Sequence, residues 1–204
     1  MIECKVDNGS GRPTVIVSEA GAYYEVSQAI VNSSAEGRVV WLECSPVTDL
    51  TWSGLASEAL GIWKERKLKQ ARVVGFGAAA VLAQKIALED PKEIRSLVIV
   101  DGAPVAQQGV WQKILSKLDE ATPFGLPFRV SGTAFDARSF LHRLRCPVLL
   151  VQYYQGIGEL AALEQLIPTA SFVDLAADPT RANSLCSEIQ KHQSVPAKFP
   201  MKGR

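Results

Sequence analysis

The residues whose types and spacing could do chemistry lie in Val73-Val74-Gly75-Phe76-Gly77-Ala78-Ala79-Ala80. An apolar β-branched run, a glycine pair and an alanine-rich stretch predict a buried strand, a tight turn and the first turn of a helix. That layout serves two chemistries. In G-x-S-x-G a serine stands on a strained turn above a sheet and attacks a carbonyl beside oxyanion donors. Here the nucleophile position holds Gly77 and the last glycine position holds Ala79. In G-x-G-x-x-A, completed here by Ala80, the backbone approaches a pyrophosphate, and an acid beyond the next strand takes the ribose hydroxyl. Asp101 closes the next apolar run and suits that acid. A lone G-x-G-x-x-A is a weak signal, and it usually opens the first strand–helix unit, whereas earlier strands precede this one. NAD(P) binding is therefore the lesser reading.

The elements that must position this turn follow from hydrophobic periodicity. Short apolar runs at Thr14–Val17, Val39–Cys44, Ala71–Gly75, Ser96–Val100, Pro147–Val151 and Ser171–Leu175 predict strands. Ile2–Val6 could add an antiparallel edge strand before the turn Asn8-Gly9-Ser10-Gly11. Helices are expected at Tyr24–Asn32, Gly54–Lys69, Ala78–Leu88, Ile157–Ile167 and Pro179–His192, with Leu55, Ala59, Ile62 and Trp63 on one stripe of the second. Alternating strands and helices imply an α/β fold: a mostly parallel sheet of about six strands, flanked by helices on both faces. Residues 103–145 are long for a crossover. They carry predicted helices at Gly109–Leu118 and Asp136–Leu144 and the apolar loop Pro123–Phe128, and are expected to form a short cap insertion, with a long ordinary crossover as the alternative. Residues 1–192 form one domain, and 193–204 read as a flexible tail.

Composition bounds the function. The 204 residues are 47% hydrophobic and 21% charged, with a net charge of +1. That permits a substantial core and gives no general reason for nucleic acid or a membrane surface as partner. Met1-Ile2-Glu3-Cys4-Lys5 has no apolar leader segment, and no run reaches the roughly 18 apolar residues of a membrane span. Cys4, Cys44, Cys146 and Cys186 form no C-x-x-C pair, which favours reduced thiols and a cytoplasmic location. His142 and His192 lie at no ligand spacing from a cysteine, so no metal site is expected. No cofactor is expected either.

Taken together, several segments resemble the α/β-hydrolase family. Arg72–Ala79 is similar to its strand–elbow–helix unit. Ala83–Asp101 is similar to the continuation A-x-x-x-P-x-x-V-x-x-L-V-L-x-D, Leu144–Val151 to the strand after the cap, and Pro13–Gly21 to the strand leading into the oxyanion loop. The resemblance covers nearly the whole chain. It implies a serine nucleophile, a histidine base, an orienting acid and an oxyanion loop with His-Gly.

None of these roles has its residue. The nucleophile position is Gly77. The oxyanion loop reads Ser18-Glu19-Ala20-Gly21, without histidine. The acid position falls at Gly156 beside Gln155, with Glu159 displaced. The loop after the last strand, Ala176-Ala177-Asp178-Pro179, has no histidine, and His142 and His192 read as structural or exposed. A nucleophile needs a base, and the base an orienting acid. The chain thus reads as a non-catalytic hydrolase-like protein without catalytic residues. Two roles are then open: binding a small carbonyl- or anion-containing ligand, or serving as a protein-interaction module. Oligomeric state is left open. The expected ligand site comprises Ala20, Gly21, Gly77, Ala78, Asp101 and Tyr153, with backbone N–H groups of the helix start and of the oxyanion loop as donors. Tyr154, Trp111, Phe124 and Phe128 are candidate walls. Asp101 is expected to accept backbone N–H groups in its own turn, Asp101–Pro104, a structural use more fitting than that of a relocated acid. The catalytic alternative is an esterase with rearranged residues, such as Ser18 or Ser45.

Overall fold

A computed structural model describes residues 1–33, 37–44, 52–104, 137–156 and 159–194. Seven strands form one sheet: β1 (Ile2–Asn8), β2 (Pro13–Glu19), β3 (Arg38–Cys44), β4 (Ala71–Phe76), β5 (Ile94–Val100), β6 (Val148–Gln152) and β7 (Ala170–Asp174). Their spatial order is β1-β3-β2-β4-β5-β6-β7. Every pair is parallel except β1 with β3, so the N-terminal segment is an antiparallel edge strand and brings the count to seven. The helices are α1 (Tyr24–Ser33), α2 (Trp52–Glu65), α3 (Ala79–Glu89), α4 (Leu160–Leu166) and α5 (Arg181–Ser194).

Alternate residues of each strand point to opposite faces. Val15, Val17, Val73, Leu97, Ile99 and Leu150 pack against Ala59, Trp63, Ala83, Ile86 and Leu163, so α2, α3 and α4 cover one face. Ile16, Val74, Val98 and Val151 pack with Val26, Ile30, Leu185 and Ile189, so α1 and α5 cover the other. This double cover is why the central strands carry unbroken apolar runs, Val15–Val17, Val73–Val74 and Leu97–Val100.

Two expected helices end differently from their sequence pattern. The α2 pattern runs on to Lys69, but the helix stops at Glu65. Lys67 takes φ +53°, its N–H donates to Lys64 O, and the Leu68 N–H reaches back to Trp63 O. This is a Schellman cap, and buried Leu68 supplies its apolar contact. The stretch Arg66–Lys69 is thus the stop of the helix rather than its last turn. The helix expected at Asp136–Leu144 is, over its described part, a turn followed by a 3₁₀ turn at Leu141–Arg143. The rest of the expected cap, with Trp111, Phe124 and Phe128, lies outside the described residues.

Helix α3 lies close on β4 and β5 because both surfaces are pared down. A Cβ on Gly75 would stand 2.8 Å from Ala80 Cα and 2.7 Å from Ala83 Cβ, and one on Gly102 would stand 2.9 Å from Ala80 Cβ. Glycines against alanines set this approach, and the approach sets the height of the turn at Gly77.

Candidate functional site

The carboxyl ends of β2, β4, β5, β6 and β7 converge on one edge of the sheet, where α/β proteins place their sites. Gly77 sits there at φ +54°, the left-handed conformation that a strained elbow requires. Glycine adopts it without steric cost. The Gly77 N–H donates to Val100 O at 2.9 Å and the Gly77 carbonyl accepts from the Ala80 N–H. Ala78 precedes α3 with helical angles and no side-chain cap.

The space above Gly77 is filled. A Cβ there would lie 3.1 Å from Cε2 and 3.7 Å from Oη of Tyr23. Tyr23 comes from the loop after β2 at φ +56°, an uncommon conformation for a bulky residue. Its ring stacks on Phe76 at 5.1 Å and meets Tyr154 at 5.7 Å. Its hydroxyl donates to Asp101 Oδ2 at 2.9 Å. The place where a serine would stand is thus taken by a tyrosine from another loop.

Asp101 is the polar centre of this edge. It is buried, sits at φ +50°, and accepts the backbone N–H of Tyr153 at 2.7 Å and of Tyr154 at 3.2 Å. It therefore does accept backbone amides, but those of the strand end beside it rather than of its own turn. Burial pushes its carboxyl above the ordinary range, while these amides, the Tyr23 hydroxyl and the Arg181 charge oppose that rise. Burial, then the Asp101 charge, push the Tyr23 phenol up, so it stays a donor at neutral pH.

The loop after β7 leads into a cation, Arg181, rather than the histidine base that the resemblance implies. Asp178 accepts the Thr180 N–H at 2.7 Å and the Ser184 hydroxyl, fixing the start of α5. That start carries Arg181, whose guanidinium stands 5.0 Å from the Tyr153 ring centre and 4.6 Å from that of Tyr154.

The expected oxyanion-loop donors are already engaged. The Ala20 N–H donates to Cys44 O at 3.0 Å and the Gly21 N–H to Glu43 Oε1 at 3.3 Å. Ser18 is buried and its hydroxyl accepts the Trp41 indole N–H at 2.8 Å. Ser45 lies outside the described residues. His142 is exposed. His192 is buried at the opposite edge of the sheet, its ring donating to Pro147 O, and burial lowers its pKa. Glu159 donates its N–H to Gly102 O, and its side chain lines a separate depression.

Of the expected site residues, the structure brings Gly77, Asp101 and Tyr153 together around Tyr23, with Ala78 beside them. Ala20 and Gly21 stand at the same edge with their amides turned to other acceptors. Tyr23 and Arg181 were not foreseen. Beside the filled elbow is an open depression of about 450 Å³, lined by Gly21, Tyr23, Tyr24, Glu25, Val26, Tyr153 and Tyr154. A pyrophosphate at Gly75–Ala80 would need the space the Tyr23 ring holds, and the closest approach to Gly75 is made by α3 itself.

Similar proteins carry the same architecture. An esterase from Thermogutta terrifontis matches with a TM-score of 0.70 at 14% identity, covering 94% of this chain and 93% of that one. The enol-lactonase of Burkholderia xenovorans matches at 0.70 and 15%, covering 95% and 96%. An α/β hydrolase from a Medee basin deep-sea metagenome matches at 0.72 and 12%, covering 98% and 97%. An abhydrolase domain-containing protein of Schizosaccharomyces pombe is 31% identical over 80 residues, which is 37% of this chain and 30% of that protein's length. No family model matches the chain. The chain has the α/β-hydrolase fold, as its sequence resemblance implied.

Proposed function

We propose that this chain is a non-catalytic α/β-hydrolase-fold protein that binds a ligand beside its former elbow. The observation that carries the reading is Tyr23, whose ring packs on Gly77 and whose hydroxyl is held by Asp101. A nucleophile, a base and an oxyanion hole must share one small space. Here that space holds a phenol ring, the loop amides are spent, and the two histidines of the chain lie elsewhere. The carboxylate that remains serves to hold the plug. Binding at the elbow itself through Ala20 or Gly21 is disfavoured for the same reason, which moves the binding surface to the tyrosine-lined depression. The free thiols of Cys4, Cys44, Cys146 and Cys186 fit a reducing compartment, and we infer a cytoplasmic location. Among the described residues no helix is long and apolar enough to cross a membrane.

Nitrophenyl ester turnover tests the reading. The expected result is no turnover above the buffer rate. Turnover that survives Gly77→Ala and vanishes in Ser18→Ala or Ser45→Ala would overturn it in favour of a rearranged esterase.

A further inference from the structure

We propose that the depression is a recognition site for an alkylammonium ion, a proposal that rests on the binding role above and names its ligand class. The site is built from two loops at the carboxyl edge of the sheet. The loop after β2 and the first turn of α1 supply Tyr23, Tyr24 and Glu25, and the loop after β6 supplies Tyr153 and Tyr154. Its volume of about 450 Å³ is that of a small-molecule site.

Three observations select a cation. The walls are tyrosine rings, whose faces carry negative charge density and attract cations. The Arg181 guanidinium already lies over Tyr153 and Tyr154, so rings at this edge do take a positive charge, and a ligand is left the parts of them that line the depression. The depression also contains a carboxylate, Glu25, which has no ion-pair partner among the described residues. Behind the rings stand Asp101, bonded to Tyr23, and Glu19, whose charge reaches the Tyr23 phenol. Among the described residues Glu25 lines the depression, with Asp101 and Glu19 behind the rings and the Arg181 guanidinium as the cation near them, and the balance favours a positive ligand.

The rings also select the kind of cation. A metal ion asks for several oxygen ligands in a tight shell. A bulky, weakly hydrated ammonium loses little on leaving water and gains contact with aromatic faces. Tyr24 is fixed for such contact by its ring stacking on Trp41 at 5.4 Å, and it remains 56% exposed. Tyr154 is likewise partly exposed. Glu25 then supplies the charge partner that the rings lack.

The probes are choline and tetramethylammonium, with 3,3-dimethylbutanol as the neutral shape-matched control, titrated into the full chain by isothermal calorimetry or by NMR. Both cations are expected to saturate, with the neutral alcohol weaker by roughly tenfold or more. Glu25→Gln is expected to weaken choline by about fivefold or more with an unchanged melting temperature, since the side chain is exposed. Tyr154→Leu is expected to weaken it similarly. Equal binding of choline and the alcohol, an unchanged affinity in Glu25→Gln, or no saturation by either cation would overturn the proposal. The two readings fail separately. Ester turnover with cation binding intact sinks only the non-catalytic role, and loss of cation binding without ester turnover sinks only the ligand class.

Discussion

Tyr23 and Gly77 form a complementary pair: one residue has no side chain, and the other, from a loop far away in sequence, supplies the missing volume. Gly77→Ser is therefore expected to create no esterase, because it adds a nucleophile without a base. It is also expected to destabilise the chain by about 1–3 kcal/mol, from overpacking against the ring and from a left-handed non-glycine residue. Adding Tyr23→Ala should make the serine's own cost smaller, and a double-mutant cycle by urea unfolding measures that coupling. Asp101→Ala removes the acceptor of two backbone amides and of the Tyr23 hydroxyl. Leaving those buried donors unmatched should cost about 3 kcal/mol or more, read as a drop in the urea midpoint. The glycine at 77 was legible in the sequence, as was the acid at 101. The plug was not, because nothing in Ala22-Tyr23-Tyr24 announces a tyrosine at positive φ whose hydroxyl reaches Asp101, 78 residues away in sequence.

Elements were legible where their periodicity was long and uninterrupted. The strands and the alanine-rich α3 occur close to where hydrophobic pattern put them, since burial on both faces leaves little freedom in their composition. The end of α2 was not legible, because Leu68 continues the apolar spacing of a helix while its backbone has already left it. Its Schellman cap places Lys67 at the position where glycine is preferred. Lys67→Gly is accordingly expected to stabilise the chain by about 0.5–1 kcal/mol, measured by chemical unfolding. The opposite sign is expected one strand later. Gly75→Ala drives a methyl group into Ala80 and Ala83, and must either push α3 off the sheet or prevent folding. A loss of at least ~2 kcal/mol, or of soluble expression, is the expected outcome.

At the scale of the whole molecule, the first strand is tied down through Asp7, which accepts Arg38 Nε and Nη2, both at 2.9 Å, and Arg66 Nη1 at 2.6 Å. The Arg38 guanidinium first, and Arg66 with it, hold its carboxyl down at about 2. A depressed carboxyl stabilises the fold above its unfolded value and loses that contribution as pH falls. Urea midpoints should therefore fall between about pH 4 and pH 2, and Asp7→Asn should flatten that fall while lowering the midpoint at neutral pH. The order β1-β3-β2 has a kinetic consequence as well. β1 and β2 are joined by the short link Gly9–Arg12, yet they never pair, because β3 enters between them later in the chain. Before β3 arrives, the two are free to close as a hairpin with each other, which is the faster local event. A hairpin formed at that stage would have to open before the sheet is completed, so the first nineteen residues hold a local alternative to the native pairing.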